Sequence, residues 1–254
     1  MLKKIIIANW KMNPLTLKDA ERLLVGINKE LSKIKKTGIV VCPPFVYLEK
    51  LRKLSRKVSF GAQDAFWGET GAFTGEVSAS MLAEIGVKYV ILGHSERRAL
   101  GESNETINKK LKAAISAGLS PILCIGENDR DENHEYFNFV KNQLLACING
   151  IPKNLLYKII IAYEPVWAIS TTANRRDASP ADAKEMAIFI RKILSDKLGT
   201  GMKMPRIIYG GSVNNRDAGE FLTQGGVDGL LVGKASLDVK KFTDIIKIAE
   251  NEND

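Results

Sequence analysis

Cysteine and histidine are both scarce, with three of the first and two of the second in 254 residues. The cysteines, Cys42, Cys124 and Cys147, are widely spaced and odd in number, which excludes a disulfide framework and offers no zinc pattern. A reducing, cytoplasmic setting is the expectation from that usage. Long hydrophobic runs are missing too. Stretches such as Ile5-Ile6-Ile7-Ala8 fall far short of a bilayer span, so no membrane partner is expected. The opening Met1-Leu2-Lys3-Lys4 has the charge of a signal n-region, but the apolar stretch behind it stops at Asn9 and Lys11, too soon for an h-region. No segment is of low complexity, and no Ser/Pro/Gly linker divides the chain. The remaining composition, 45% hydrophobic and 26% charged, is ordinary for a globular protein and excludes disorder and collagen.

One imbalance stands out. Lys plus Arg number 37 against 29 for Asp plus Glu, a formal charge of +8. The densest basic run, Glu49-Lys50-Leu51-Arg52-Lys53-Leu54-Ser55-Arg56-Lys57, carries apolar residues at helical spacing and reads as the solvated face of a helix. Elsewhere the charge is scattered, with no clustered base among aromatics, so no nucleic-acid partner is expected. A basic field serves equally to attract a small anionic substrate.

Along the chain, short β-branched runs alternate with longer segments of helical period. The strand candidates are residues 4–8, 39–42, 58–62, 89–92, 121–125, 159–163, 206–209 and 229–232, each nearly all apolar, as in parallel strands covered on both faces. Thr16-Leu17-Lys18-Asp19 and Ser179-Pro180-Ala181-Asp182 each set a hydroxyl cap three residues ahead of an acid, the second with proline at the first helical position. Further helices are expected over 103–117, 131–148, 215–223 and 237–249, with shorter ones after Phe45 and Ser78, one for each strand. Eight βα units in this length predict a closed (β/α)8 barrel, a single domain over 1–254. The competing open doubly wound sheet commonly has a glycine-rich turn after its first strand, where this chain has Asn9-Trp10-Lys11-Met12-Asn13.

In such barrels the chemistry sits where strands end. The first strand is followed by Asn9 and Lys11, the fourth by Gly93-His94-Ser95-Glu96-Arg97-Arg98 and the sixth by Glu164-Pro165. Gly210-Gly211-Ser212 follows the seventh and Gly233-Lys234 the eighth. His134, among Asp131, Glu132, Asn133 and Glu135, reads as a surface residue at a helix start. His94 differs: a helical turn behind it would aim N–H groups at the ring and favour a neutral imidazole able to donate a hydrogen bond. A carboxylate at the edge of a buried sheet suits Glu164 to general-base work. Lys11 suits neutralisation of an anionic substrate, and Asn9 donation to a developing oxyanion. Glycine-rich turns after the last two strands make a phosphate site. Together these parts predict proton abstraction next to a carbonyl in a small phosphorylated compound. No metal cluster, Ser–His–Asp pattern or dinucleotide fingerprint competes with that reading.

Five motifs in order, Asn9-Trp10-Lys11-Met12-Asn13, Gly93-His94-Ser95-Glu96-Arg97-Arg98, Cys124-Ile125-Gly126-Glu127, Ala162-Tyr163-Glu164-Pro165-Val166-Trp167 and Tyr209-Gly210-Gly211-Ser212-Val213, closely resemble the triosephosphate isomerase family over essentially the whole chain. The resemblance implies a TIM barrel that interconverts dihydroxyacetone phosphate and D-glyceraldehyde 3-phosphate in glycolysis and gluconeogenesis, without cofactor or metal. It implies that Glu164 takes the carbon-bound proton, neutral His94 polarises the carbonyl, and Lys11 and Asn9 stabilise developing negative charge. Glu96 and Cys124 would be supporting residues, and Ser170, Ser212, Gly233 and Lys234 would hold the phosphate. The stretch from Gln63 to Glu76, including Phe73 and Thr74, resembles the loop that docks into a neighbouring subunit, which implies a homodimer.

The chain departs from the family pattern twice. The family follows its tryptophan with Ala-Ile-Gly-Thr-Gly-Lys, whereas here Ser170 and Thr172 replace both glycines and extra residues precede Ser179-Pro180. Serine and threonine adopt glycine's backbone angles only with strain, so this lid is expected to close differently or less completely. The second departure is Lys234, where the family has glycine; its side chain either points away from the site or supplies a new cation. The reading set against an active isomerase is a non-catalytic binding protein with an altered lid.

Overall fold

In the computed structural model, which describes residues 3–169 and 176–253, eight parallel strands close on themselves in sequence order. They are β1 (Ile5–Asn9), β2 (Gly38–Cys42), β3 (Ser59–Ala62), β4 (Tyr89–Leu92), β5 (Ser120–Ile125), β6 (Ile160–Tyr163), β7 (Arg206–Tyr209) and β8 (Gly229–Val232). The barrel closes where β1 pairs with β8, Ile5 opposite Gly229 through Ala8 opposite Val232. Successive residues of a strand face opposite sides. Ile5, Ile7, Val40, Cys42, Ile91, Ile122, Cys124 and Ile208 therefore pack together inside the barrel. Ile6, Ala8, Val41, Val90, Leu92, Leu123 and Ile207 join the larger core beneath the helices. Both faces are dry, which is why the strands read as unbroken apolar runs rather than alternating ones.

The helices are α1 (Leu17–Glu30), α2 (Phe45–Leu54), α3 (Ala79–Glu84), α4 (Ser95–Ala99), α5 (Asn104–Ser116), α6 (Glu135–Cys147), α7 (Pro180–Leu198), α8 (Ala218–Gln224) and α9 (Val239–Asn251). Both expected N-caps form. Thr16 accepts from the Asp19 N–H, and Ser179 with Asp182 makes a full capping box. Three sequence expectations need correction. Two helices rather than one follow β4, because His94 and Ser103 each cap a start of their own. The segment predicted from 131 becomes helical only at Glu135, since the Asp131 carboxylate accepts from the Glu135 and Tyr136 N–H groups and His134 turns left-handed at φ +58°. Likewise α8 begins three residues late, because Asn214 and Asp217 close a side-chain-bonded turn ahead of it.

The C-terminal helix is bolted across the start of β2. Glu250 accepts from the backbone N–H groups of Lys35 at 2.7 Å, Lys36 at 2.9 Å and Thr37 at 2.8 Å. Partial desolvation opposes the charge, but these donors outweigh it and hold the Glu250 carboxyl down at about 2. A folded pKa below the unfolded one gives stability that is present above the unfolded value of 4.5 and lost as pH falls through the folded value. Glu250→Gln is therefore expected to be less stable than wild type at pH 7, with the gap narrowing below about pH 4. Urea midpoints across pH 3 to 7 read this directly, and a gap that stays constant over that range contradicts it.

Candidate active site

At the C-terminal ends of the strands lies a cavity of about 730 Å³. Asn9 and Lys11 after β1, His94 after β4, Glu164 after β6, Ser212 after β7, and Gly233 and Lys234 after β8 all line it. Seven of the residues singled out from sequence thus meet at one mouth. Cys124 lies below it on β5, and Glu96 reaches it through Lys11. Ser170 and Thr172 lie outside the described residues.

His94 caps α4 with its own ring: Nδ1 accepts from the Glu96 N–H at 3.2 Å. A ring nitrogen that accepts a backbone N–H carries no proton, so in the neutral ring the proton sits on Nε2. That nitrogen stands 3.4 Å from Glu164 Oε1. The helical turn expected behind His94 is the origin of this arrangement.

Glu164 is 2% exposed, and its Oε2 accepts from the Ser95 N–H at 3.2 Å. Its Oε1 is buried and makes no hydrogen bond among the described residues. A buried carboxylate oxygen without a donor is uncommon and leaves strong acceptor capacity facing the cavity. Glycines give the residue its space. A Cβ on Gly126 would come within 1.9 Å of the Glu164 carbonyl oxygen, and one on Gly210 within 2.8 Å of its Cγ. Gly211 does the same for Tyr209, whose hydroxyl oxygen would lie 2.2 Å from a Cβ there. The Gly210-Gly211 pair thus makes room for Glu164 and Tyr209, a duty not visible when the pair is read as a phosphate turn alone. Cys124 packs under this centre as a neutral thiol; burial, with the Glu164 charge adding to it, pushes its titration well above the ordinary range.

Lys11 adopts a left-handed backbone at φ +51°, rare for a residue with a side chain and typical of functional sites. Three contacts hold it there. Its N–H donates to Asn9 Oδ1 at 3.0 Å, its carbonyl accepts from Gln63 Nε2 at 2.8 Å, and its Nζ pairs with Glu96 Oε1 at 2.6 Å. Because the Asn9 oxygen is occupied, its amide N–H groups are what it offers a ligand. Gly233 leads into a 3₁₀ turn, Lys234–Leu237, whose first N–H groups have no partner within the turn. Lys234 is exposed, lines the cavity, and makes no side-chain hydrogen bond or ion pair among the described residues.

Sequence reasoning gave no part in the active site to Ser95, Gln63 or Glu127. Glu127 is buried and accepts from Tyr163 Oη at 2.7 Å and Trp167 Nε1 at 2.8 Å. Arg176 covers the Trp167 ring at 4.3 Å, so the described flanks of segment 170–175 meet on that indole. All three sit within quoted motifs or one residue past a strand end, which is the signal that could have found them.

The loop after β3 has a packed base and a bare tip. The Phe66 ring packs at a tilt against those of Trp67 and Phe73, with centroids 4.1 and 4.5 Å apart, and its N–H donates to the Val77 carbonyl. Phe73 and Thr74 are exposed at the tip. Neither lines the cavity of their own chain. Among the described residues no group of His, Cys, Asp and Glu is placed to hold a metal ion, and no helix is long and apolar enough to cross a membrane.

The sequence model of the family described as triosephosphate isomerase matches residues 4–249. A triosephosphate isomerase of Dictyoglomus thermophilum is 44% identical over 97% of this chain and 100% of its own length. That of Alkaliphilus oremlandii is 43% identical over 97% of this chain and 99% of its own. That of Aquifex aeolicus is 41% identical over 96% and 99%.

Proposed function

The chain belongs to the triosephosphate isomerase family, and we propose that Glu164, His94, Lys11 and Asn9 carry out its reaction. The enzyme is an aldose–ketose isomerase of glycolysis, interconverting dihydroxyacetone phosphate and D-glyceraldehyde 3-phosphate. Glu164 Oε1 takes a proton from the carbon beside the carbonyl. His94 Nε2–H donates to the carbonyl oxygen, so negative charge is shared as the enediol(ate) forms. His94 gives its Nε2 proton to the carbonyl oxygen and takes back the proton of the neighbouring hydroxyl, the same carboxyl returns a proton to the neighbouring carbon, and the hydroxyl and carbonyl have exchanged places. Asn9 and the Lys11 ammonium offset the charge on the enediolate and phosphate, while Ser212 with the N–H groups after Gly233 holds the phosphate.

The observation that carries the assignment is the undonated Glu164 Oε1 beside the protonated nitrogen of His94. Base and electrophile come from the ends of β6 and β4, on either side of β5, and stand within 3.4 Å of each other; no observation favours a non-catalytic reading. Lys11→Met is expected to reduce kcat/KM by about 10–150-fold, as for loss of a hydrogen bond to a charged group, with much of the loss in KM. A coupled assay over a range of both triose phosphates checks this, and an unchanged KM removes Lys11 from substrate binding.

A homodimer completes the reading. Met12 at 92% and Leu15 at 93% after β1, and Val46 at 81% at the start of α2, are exposed on elements that follow neighbouring strands, and Phe73 and Thr74 are exposed after β3. Exposed apolar side chains on neighbouring strand-end segments suit a second copy of the chain. Light scattering should give twice 28.0 kDa. The three cysteines are free and buried, as suits a cytoplasmic enzyme.

A further inference from the structure

We propose a second anion site at the opposite end of the barrel, for a small ligand bearing two linked phosphate-type groups. A cavity of about 570 Å³ lies between the start of β2, the end of α2 with the loop into β3, and the turn before β4. It is lined by five cations, Arg52, Lys53, Arg56, Lys57 and Lys88, and by no carboxylate. Two of the five are engaged elsewhere: Lys53 Nζ pairs with Glu49 Oε1 at 2.5 Å, and Lys57 Nζ donates to the Asn28 carbonyl at 3.1 Å. Arg52, Arg56 and Lys88 have no side-chain hydrogen bond or ion pair among the described residues.

Arg52 is the anchor. Its Nε is buried without a hydrogen-bond partner among the described residues. Its guanidinium lies against Gly86, where a Cβ would come within 2.9 Å of Nη1 and 3.0 Å of Cζ. A buried guanidinium N–H without an acceptor is rare, and the group is shaped to grip a planar or tetrahedral oxyanion. The sequence reading treated residues 49–57 as one solvated face. The structure divides them: Lys53 Nζ is paired with Glu49, whereas Arg52 has no partner among the described residues and packs against Gly86. Three free cations in a small cavity match an anion of more than two charges, which favours a pyrophosphate-like group over a single phosphate or a carboxylate. The site sits at the N-terminal ends of the strands, so its occupant does not compete with the triose phosphate at the other end.

Inorganic pyrophosphate is the probe, titrated into the full-length protein and followed by amide chemical shifts and calorimetry. Saturable shifts at Gly38, Ser59, Gly86 and Lys88 are expected, separate from those at Gly211 and Gly233. Arg52→Met should weaken this site at least tenfold and leave kcat for isomerisation within twofold. Lys88→Glu, at an exposed position, gives the same readout should the first variant fold poorly. A single site confined to the catalytic cavity overturns the proposal, as does unchanged affinity in both variants. Displacement of pyrophosphate by an RNA oligonucleotide at lower concentration also overturns it, in favour of a nucleic-acid surface.

Discussion

Glu164→Gln is expected to lower kcat by about 10²–10⁴-fold while moving KM far less, because a general base acts only in the transition state. The substitution keeps the shape of the side chain. Its amide oxygen still accepts from the Ser95 N–H, the bond that Oε2 makes at 3.2 Å. What disappears is the basic oxygen beside His94 Nε2. The thermal midpoint should therefore stay near that of wild type, which separates loss of chemistry from loss of fold. A loss carried mainly in KM would place Glu164 in binding instead.

The second large effect concerns stability. Lys110 is 3% exposed, and its Nζ bonds both Asp64 oxygens at 2.8 Å and also Glu102. Arg97 completes the cluster through Asp64 at 2.8 Å and Glu102 at 3.4 Å. Lys110→Met leaves two buried carboxylates facing one arginine, and is expected to cost about 3–5 kcal/mol, as for breaking a buried ion pair from one side. The drop in thermal midpoint would be about 6–20 °C for a chain of this length. Burial already pushes the Asp64 carboxyl up, against the pull of Lys110 and Arg97. Without Lys110 it rises further, so the variant's deficit should be largest at neutral pH and shrink as pH falls and Asp64 takes a proton. Denaturation at fixed chain concentration, at pH 5 and pH 8, tests both statements. Asp64 roots the loop that carries Phe73 and Thr74, and Arg97 rides on the same turn as His94, so this cluster joins the proposed subunit contact to the catalytic turn.

Much of this protein can be read from its residues, for physical reasons. Strands buried on both faces must be apolar throughout, so all eight declared themselves, with ends displaced by only a residue or so. Capping chemistry is local, and the Thr16 and Ser179 starts fell where their side chains dictate. The start of α6 was misplaced because the Asp131 turn imitates a helix's first hydrogen bonds without its backbone angles. Asn9, Lys11, His94 and Glu164 were legible because a strand end is where a polar residue interrupts an apolar run. Long-range partners were not legible. Nothing near Gln63 in the sequence points to the Lys11 carbonyl, 52 residues away in the chain, or from Glu127 to Trp167, 40 residues away. The left-handed backbone of Lys11 was equally hidden, since it exists only because those partners hold it. Arg52 looked like any helix-surface arginine until the turn at Gly86 was folded against it.

The central claim is that one carboxylate moves a carbon-bound proton through an enediol(ate) at this barrel mouth. Isomerisation of D-glyceraldehyde 3-phosphate in D₂O, followed by proton NMR of the product, tests it most directly. A proton held on Glu164 can exchange with solvent before it returns, so deuterium is expected at the hydroxymethyl carbon of the dihydroxyacetone phosphate formed, at a rate that collapses in Glu164→Gln. Product formed with complete retention of the substrate's own hydrogen would mean a direct hydride shift, and would contradict the account.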